Sequence, residues 1–196
     1  FFAWLTGLAP ITDEIMYWSV GVGLVFLSLT GVLLILDLDR PDRFLYVLLR
    51  PHWESWLVKG GYIITAYGGL LTVLGAITWF GWSAVGPMVM WLTGVTAVLL
   101  AVYTAFLFAQ AKGRDFWQSP TLSLHMLVHS VMAGGAVFIL LGVTLELDSA
   151  WATLSSSVVV ISIIINLLTL LVELVTTHPT KDAKAVVGMI TRGRYT

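Results

Sequence analysis

The chain has 196 residues, of which 58% are hydrophobic and only 11% are charged, and its formal net charge at pH 7 is -1. Soluble domains contain about 25% charged residues, so this composition excludes an ordinary water-soluble globule. The small net charge gives no basis for nucleic-acid binding. The chain contains 0 cysteines, which excludes disulfides and any iron–sulfur cluster held by this chain alone.

Long apolar segments dominate the chain. Residues 15–36, 60–111 and 149–172 contain no Asp, Glu, Lys, Arg or His. A helix of about 20 apolar residues crosses the hydrocarbon core of a bilayer, so the second segment is long enough for two crossings. We therefore predict an all-α integral membrane protein, a single transmembrane domain over residues 1–196 with about five transmembrane helices. The predicted spans are about 14–36, 55–80, 86–110, 120–144 and 151–176.

The charged residues indicate the orientation of these helices. Five crossings place three segments on one side of the membrane: loop 37–54, loop 111–118 and tail 178–196. All 10 Lys and Arg residues fall in or beside these segments, whereas the other side carries acids such as Asp13 and Glu146. By the positive-inside rule, the basic side is cytoplasmic.

Aromatic residues lie near both ends of the predicted spans. Trp79, Trp82 and Trp91 are near the outer ends, and interfacial anchoring explains such positions without any further role. They could also form an aromatic ceiling over a hydrophobic ligand in the outer half of the membrane.

Asp37 follows the first span directly, and Arg40 stands close enough in the sequence to pair with its carboxylate. An ionisable group at membrane depth is costly and is therefore a candidate for function. The alternative is a simple cap that ends the helix at the interface. The sequence leaves both interpretations open for Asp37.

Two histidines lie within the fourth predicted span. His125 and His129 are four residues apart, hence on one helical face, and lie on the order of 9 and 15 Å from its cytoplasmic end. Imidazole exchanges protons near neutral pH, which suits a proton relay. The alternatives are two neutral histidines bonded to neighbouring helices, or haem ligation with a second ligand from another chain. Glu173 near the inner end of the fifth span, and Asn166 nearer its middle, extend a polar route from the cytoplasmic side.

Residues 37–44 (DLDRPDRF) resemble the Asp-Leu-Gly-Arg-Pro-x-Arg-Phe signature of the polysulfide reductase membrane-subunit family, also called NrfD-like. Weaker similarities follow in order along the chain: residues 55–60 (SWLVKG), 116–120 (FWQSP), Glu173 with the downstream Pro179, and 193–195 (GRY). Asp39 stands where the family has Gly, and His125 and His129 lie outside its motifs.

The resemblance implies a quinone-reactive membrane subunit without a redox metal of its own. Its expected cofactor is menaquinone or ubiquinone, as quinone or quinol, and no haem or iron–sulfur cluster is expected in this chain. The expected partners are a ferredoxin-like iron–sulfur subunit, other membrane subunits, a molybdenum or multi-haem subunit, and lipid. The family includes the membrane subunits of alternative complex III, and its members commonly have eight or more helices. We therefore expect a larger bundle, with helices missing at both ends of this sequence.

Together these inferences predict a subunit of a respiratory or photosynthetic oxidoreductase in the bacterial inner membrane, acting as part of a complex. The predicted proton pathway comprises Asp37, Arg40, His125, His129 and Glu173. The predicted quinone-binding residues are Trp79, Trp82 and Trp91. No catalytic residue and no metal ligand are predicted. The alternatives are a purely structural membrane anchor, and a b-type cytochrome or transporter subunit.

Overall fold

The computed structural model describes residues 1–36, 49–82, 84–110, 121–175, 185 and 187–189. Within these ranges the chain is helical and contains no β-strand, which confirms the predicted all-α class. The helices are α1 (Phe2–Thr6), α2 (Asp13–Leu36), α3 (Trp56–Phe80), α4 (Gly86–Ala109), α5 (Leu122–Thr144) and α6 (Ser149–Val175).

Helices α2 to α6 are long and apolar enough to cross a membrane, so the prediction of about five transmembrane helices is confirmed. The shortest, α5, has 23 residues and a length of about 35 Å at 1.5 Å per residue. Helical hydrogen bonds satisfy the backbone where lipid offers no partner. Hydroxyl side chains also donate hydrogen bonds to carbonyl groups of their own helix: Thr30 Oγ1 donates to the carbonyl of Phe26 at 2.8 Å.

The turn between α3 and α4 depends on a glycine. Gly81 ends α3 in the left-handed conformation, with φ of 67°, which a side chain would disfavour. The N–H of Trp82 then donates to the carbonyl of Ile77 at 3.0 Å. This bond satisfies a carbonyl at the end of the helix.

Residues Phe1–Leu100 form one compact unit, in which α2 packs against α3. Glycines of α3 allow the two helices to approach closely. A Cβ atom at Gly68 would lie 3.0 Å from Leu27 Cδ2, and one at Gly75 would lie 3.2 Å from Val20 Cγ1. Small residues commonly serve this purpose in membrane helices, where close packing replaces the hydrophobic effect. Val20, Leu74 and Met90 form a cluster of buried hydrophobic residues in this unit.

Residues Ala101–Thr196 form a second compact unit, in which α5 and α6 make an antiparallel hairpin. Near the connecting turn, the rings of Phe138 and Trp151 stack with centroids 4.9 Å apart. Farther along, a Cβ at Gly135 would lie 2.9 Å from Val159 Cγ2, so the helices nearly touch there. The buried residues of α6 recur at spacings of four and seven: Trp151, Ser155, Ser162, Thr169 and Glu173. This repeat is typical of left-handed helix packing, and it places the buried Glu173 opposite the start of α5.

Candidate functional site

Polar side chains meet between α5 and α6 at the end of the hairpin opposite its connecting turn. His125 and His129 lie on one face of α5, and Thr121 is the residue at its N-cap. Asn166 and Glu173 lie on α6, seven residues apart on the side that faces α5. These five residues are named the polar ladder. It extends about 12 Å along α5, at 1.5 Å per residue from Thr121 to His129.

Asn166 links the two histidines. Its Oδ1 lies 2.9 Å from His125 Nδ1, and its Nδ2 lies 2.8 Å from His129 Nε2. An amide oxygen only accepts a hydrogen bond and an amide NH₂ only donates one. In this arrangement His125 therefore carries a proton on Nδ1, while His129 Nε2 accepts. The amide connects two rings whose centroids are 6.0 Å apart.

Glu173 occupies the end of the ladder nearest the start of α5. Its Oε2 lies 3.1 Å from His125 Nε2, and its Oε1 accepts a hydrogen bond from the hydroxyl of Thr121. The side chains of His125 and Glu173 are only 14% and 10% exposed. Each partner depends on the other, because a buried charge that loses its partner is strongly destabilising.

A hydrogen bond between His125 Nε2 and Glu173 Oε2 needs one proton, which either atom can carry. Because Nδ1 of His125 donates to Asn166, the contact between Nε2 and Oε2 requires a proton between these two atoms. The pair is therefore an imidazole with a carboxylic acid, or an imidazolium with a carboxylate. Both forms have zero net charge, and the proton changes owner by moving along one hydrogen bond.

His129 is the deeper end of the ladder and is exposed on its unit, whereas His125 is partly buried. From the end of α6 and the start of α5, the hydrogen bonds connect four residues in order: Glu173, His125, Asn166 and His129. The ladder thus connects a buried carboxyl group at the end of the hairpin with an accessible imidazole farther along α5.

The structure brings together three of the predicted pathway residues: His125, His129 and Glu173. Asp37 and Arg40 lie outside the described residues. The role of Asn166 as the link between the histidines was not predicted, although its polar side chain in an apolar helix marked the position. Thr121 was missed. Its spacing of four residues before His125 could have placed it on the same face of α5.

The three tryptophans predicted to bind quinone each pack with different aromatic partners. Trp79 lies edge-on to Tyr17 with centroids 6.2 Å apart, and Trp82 stacks on Phe80 at 5.3 Å. Trp91 packs against the rings of Phe1 and Trp4, at 5.2 and 6.1 Å. Trp79 and Trp82 are 74% and 60% exposed, so their faces are accessible to a hydrophobic ligand. Their part in quinone binding stays a prediction.

Within the described ranges, no group of three or more His, Cys, Asp or Glu side chains is placed to hold a metal. Both ring nitrogens of His125 are engaged, with Asn166 and Glu173. An iron bound at either of these nitrogens would replace the contact with Asn166 or with Glu173.

A comparison with known families matches residues 9–196 to the model of the family described as "Polysulphide reductase, NrfD". No similar protein was found among curated proteins, and no similar fold among solved structures. The match covers nearly the whole chain and agrees with the motif at residues 37–44. NrfD subunits interact with quinones and assemble with iron–sulfur and molybdenum subunits. The chain therefore belongs to the NrfD family of multi-pass membrane proteins, which are membrane subunits of quinone-interacting oxidoreductase complexes.

Proposed function

We propose that this chain exchanges electrons between a membrane quinone pool and an iron–sulfur partner subunit, and that its polar ladder transfers the accompanying protons. The observation that carries this proposal is the continuous hydrogen bonding from Glu173 through His125 and Asn166 to His129. Ionisable groups inside membrane helices are costly, and those that persist mark proton or substrate pathways.

Quinone chemistry requires such a pathway. Oxidation of a quinol to a quinone releases two electrons and two protons, and reduction consumes the same number. The electrons need an acceptor outside this chain, because the sequence has 0 cysteines to hold a cluster. Imidazole and carboxyl groups can carry the protons, since both change protonation state at accessible pH.

We place the quinone, menaquinone or ubiquinone, in the outer half of the membrane beside Trp79, Trp82 and Trp91. Indole faces offer the apolar, stackable surface that a quinone ring would contact. The ladder lies at the end of the α5–α6 hairpin that is continuous in sequence with segments 111–118 and 178–196. These segments contain basic residues such as Lys112 and Arg194, so by the positive-inside rule we infer that the Glu173 end of the ladder faces the cytoplasm of a bacterial inner membrane.

A substitution of His125 separates this function from a purely structural anchor. We expect His125→Leu, in the complete complex in native membranes, to lower the rate of quinol or quinone turnover on the order of 100-fold. The matched control is His52→Leu, because His52 is exposed and lies outside the helices. Assembly is checked by the amount of iron–sulfur subunit that copurifies.

An assembled His125→Leu complex with normal turnover would contradict the proposal and leave the anchor function. Glu173→Gln serves as a second variant if His125→Leu fails to assemble, because glutamine keeps the size of the side chain and can still bond to Thr121. Loss of turnover in an assembled complex, with normal turnover in His52→Leu, is the result that the proposal predicts.

A further inference from the structure

Asn166 presents opposite hydrogen-bonding groups to its two histidine neighbours. Its oxygen faces Nδ1 of His125 at 2.9 Å, and its NH₂ group faces Nε2 of His129 at 2.8 Å. The oxygen can only accept and the NH₂ group can only donate. In this orientation, His125 Nδ1 must therefore carry a proton, and His129 Nε2 must not.

A half turn of the same amide reverses both requirements. The NH₂ group would then face His125 Nδ1, which must lack a proton, and the oxygen would face His129 Nε2, which must carry one. The two orientations have nearly the same shape. If both facing nitrogens carried a proton, or neither did, one of them would set a donor against a donor or an acceptor against an acceptor. Polar groups between packed helices avoid such contacts.

We propose that Asn166 is a positioning residue that allows one and only one of the two facing nitrogens, His125 Nδ1 and His129 Nε2, to carry a proton at any time. The orientation of the amide then decides whether the mobile proton resides on the Glu173 side of the ladder or on His129. The titratable groups that face Asn166 from α5 are the two histidines, and Glu173 acts on it through His125.

The change between the two states conserves the number of protons and the total charge. In the first state, the pair of His125 and Glu173 holds two protons and is neutral, and His129 is neutral with its proton on Nδ1. In the second state, the N–H bond at His125 Nδ1 is broken and a new N–H bond exists at His129 Nε2. The pair then has one proton and a charge of one negative unit, His129 has one positive unit, and the amide has turned without changing its atoms.

This arrangement would pass one proton at a time along the ladder, because a second proton cannot reach His129 Nε2 until the amide has turned back. The role in proton transfer rests on the proposed function. The complementary protonation of the two nitrogens does not, because it follows from the donor and acceptor groups of one amide.

Nitrogen NMR of the complete protein in its complex in lipid bilayers tests the inference, with histidine labelled by the heavy nitrogen isotope. The chain has only 4 histidines, so substitution of each one in turn assigns its signals. In the wild-type protein we expect the protonated fractions of His125 Nδ1 and His129 Nε2 to sum to one, because each amide orientation allows a proton on one of these nitrogens and not on the other.

Asn166→Asp is the matched variant, because an ionised aspartate has the same shape but accepts hydrogen bonds at both oxygens. We expect both facing nitrogens to be protonated together in this variant, so that complementarity is lost. Asn166→Leu offers neither group, so in this variant the protonation of one facing nitrogen should no longer depend on that of the other. Simultaneous protonation in the wild-type protein, or complementarity that survives in Asn166→Asp, would overturn the inference.

Turnover of His125→Leu distinguishes this inference from the proposed function. If the two nitrogens are not complementary but His125→Leu still blocks turnover, the inference about Asn166 is wrong and the proposed function stands. If His125→Leu turns over normally, the proposed function fails, and the NMR result still decides the inference on its own.

Discussion

His125 Nε2 and Glu173 Oε2 lie 3.1 Å apart across the α5–α6 hairpin, although 48 residues separate them in the chain. This contact joins the end of one apolar helix to the start of the other. Asn166 extends it to His129. A pair that only held two helices together would need no second histidine exposed farther along the same face.

Replacement of Glu173 by Gln should block proton transfer while preserving the fold. The amide can still accept from Thr121 and donate to His125 Nε2, but it cannot bind or release a proton. We expect turnover to fall on the order of 100-fold. Turnover and thermal unfolding of the purified complex measure the two effects. Glu54→Gln, at an exposed residue outside the helices, is the control and should behave as the wild type. Equal turnover in both variants would contradict the assigned role of Glu173.

Close approach of α5 and α6 should depend on Gly135 and not on its neighbour. A Cβ at Gly135 would lie 2.9 Å from Val159 Cγ2 and 3.3 Å from the backbone oxygen of Ser155, whereas a Cβ at Gly134 meets nothing within 4 Å. We expect Gly135→Ala to lower the free energy of unfolding by about 1–3 kcal/mol, a typical overpacking cost. Gly134→Ala should be neutral or slightly stabilising.

Thermal unfolding of the two glycine variants in the same detergent provides the comparison. Turnover should fall with stability in Gly135→Ala, because separation of the helices lengthens the hydrogen bonds of the ladder. Identical melting temperatures for the two variants would show that the helices are not packed as described.

The orientation of the chain can be tested with single cysteines, since the sequence has 0 of its own. Lys112→Cys lies in a basic segment and should react with a membrane-impermeant maleimide only from the cytoplasmic side. Asp148→Cys, in the turn before α6, should react only from the opposite side. A membrane-permeant maleimide should label both variants, which controls for accessibility. The reverse labelling pattern would place the Glu173 end of the ladder on the outer side of the membrane.

Quinone binding beside the exposed indoles predicts a specific kinetic change. Trp79→Leu should raise the KM for quinol about 10-fold, as loss of an aromatic contact implies, with kcat nearly unchanged. Trp53→Leu is the control, because Trp53 is a similarly exposed indole that precedes α3, at the other end of that helix. An unchanged KM in Trp79→Leu would exclude this tryptophan from the quinone site.

The helices were predictable because charge-free segments of membrane-spanning length have one stable backbone solution in lipid. The shared face of His125 and His129 was also predictable, since four residues make about one helical turn. The face of α6 that turns toward α5 was harder to predict. An isolated sequence does not state which helices are neighbours, so Asn166 could be identified as polar but not as the link.

The tryptophans show the same limit. Their positions near helix ends predicted their depth in the membrane, as the interfacial preference of indole implies. Depth does not determine the direction in which a ring points around the helix. The structure accordingly pairs Trp79 with Tyr17 and Trp91 with Phe1, contacts that no spacing in the sequence specifies.

Measurement of proton movement tests most directly whether the polar ladder transfers protons. In sealed vesicles that contain the complete complex, a pH-sensitive dye on the side of loop 111–118 should report a proton signal during a single quinone turnover. We predict that His125→Leu and Glu173→Gln slow this signal to the same extent, on the order of 100-fold, while His52→Leu leaves it unchanged. A signal of wild-type rate on that side in both ladder variants would contradict proton transfer through the ladder.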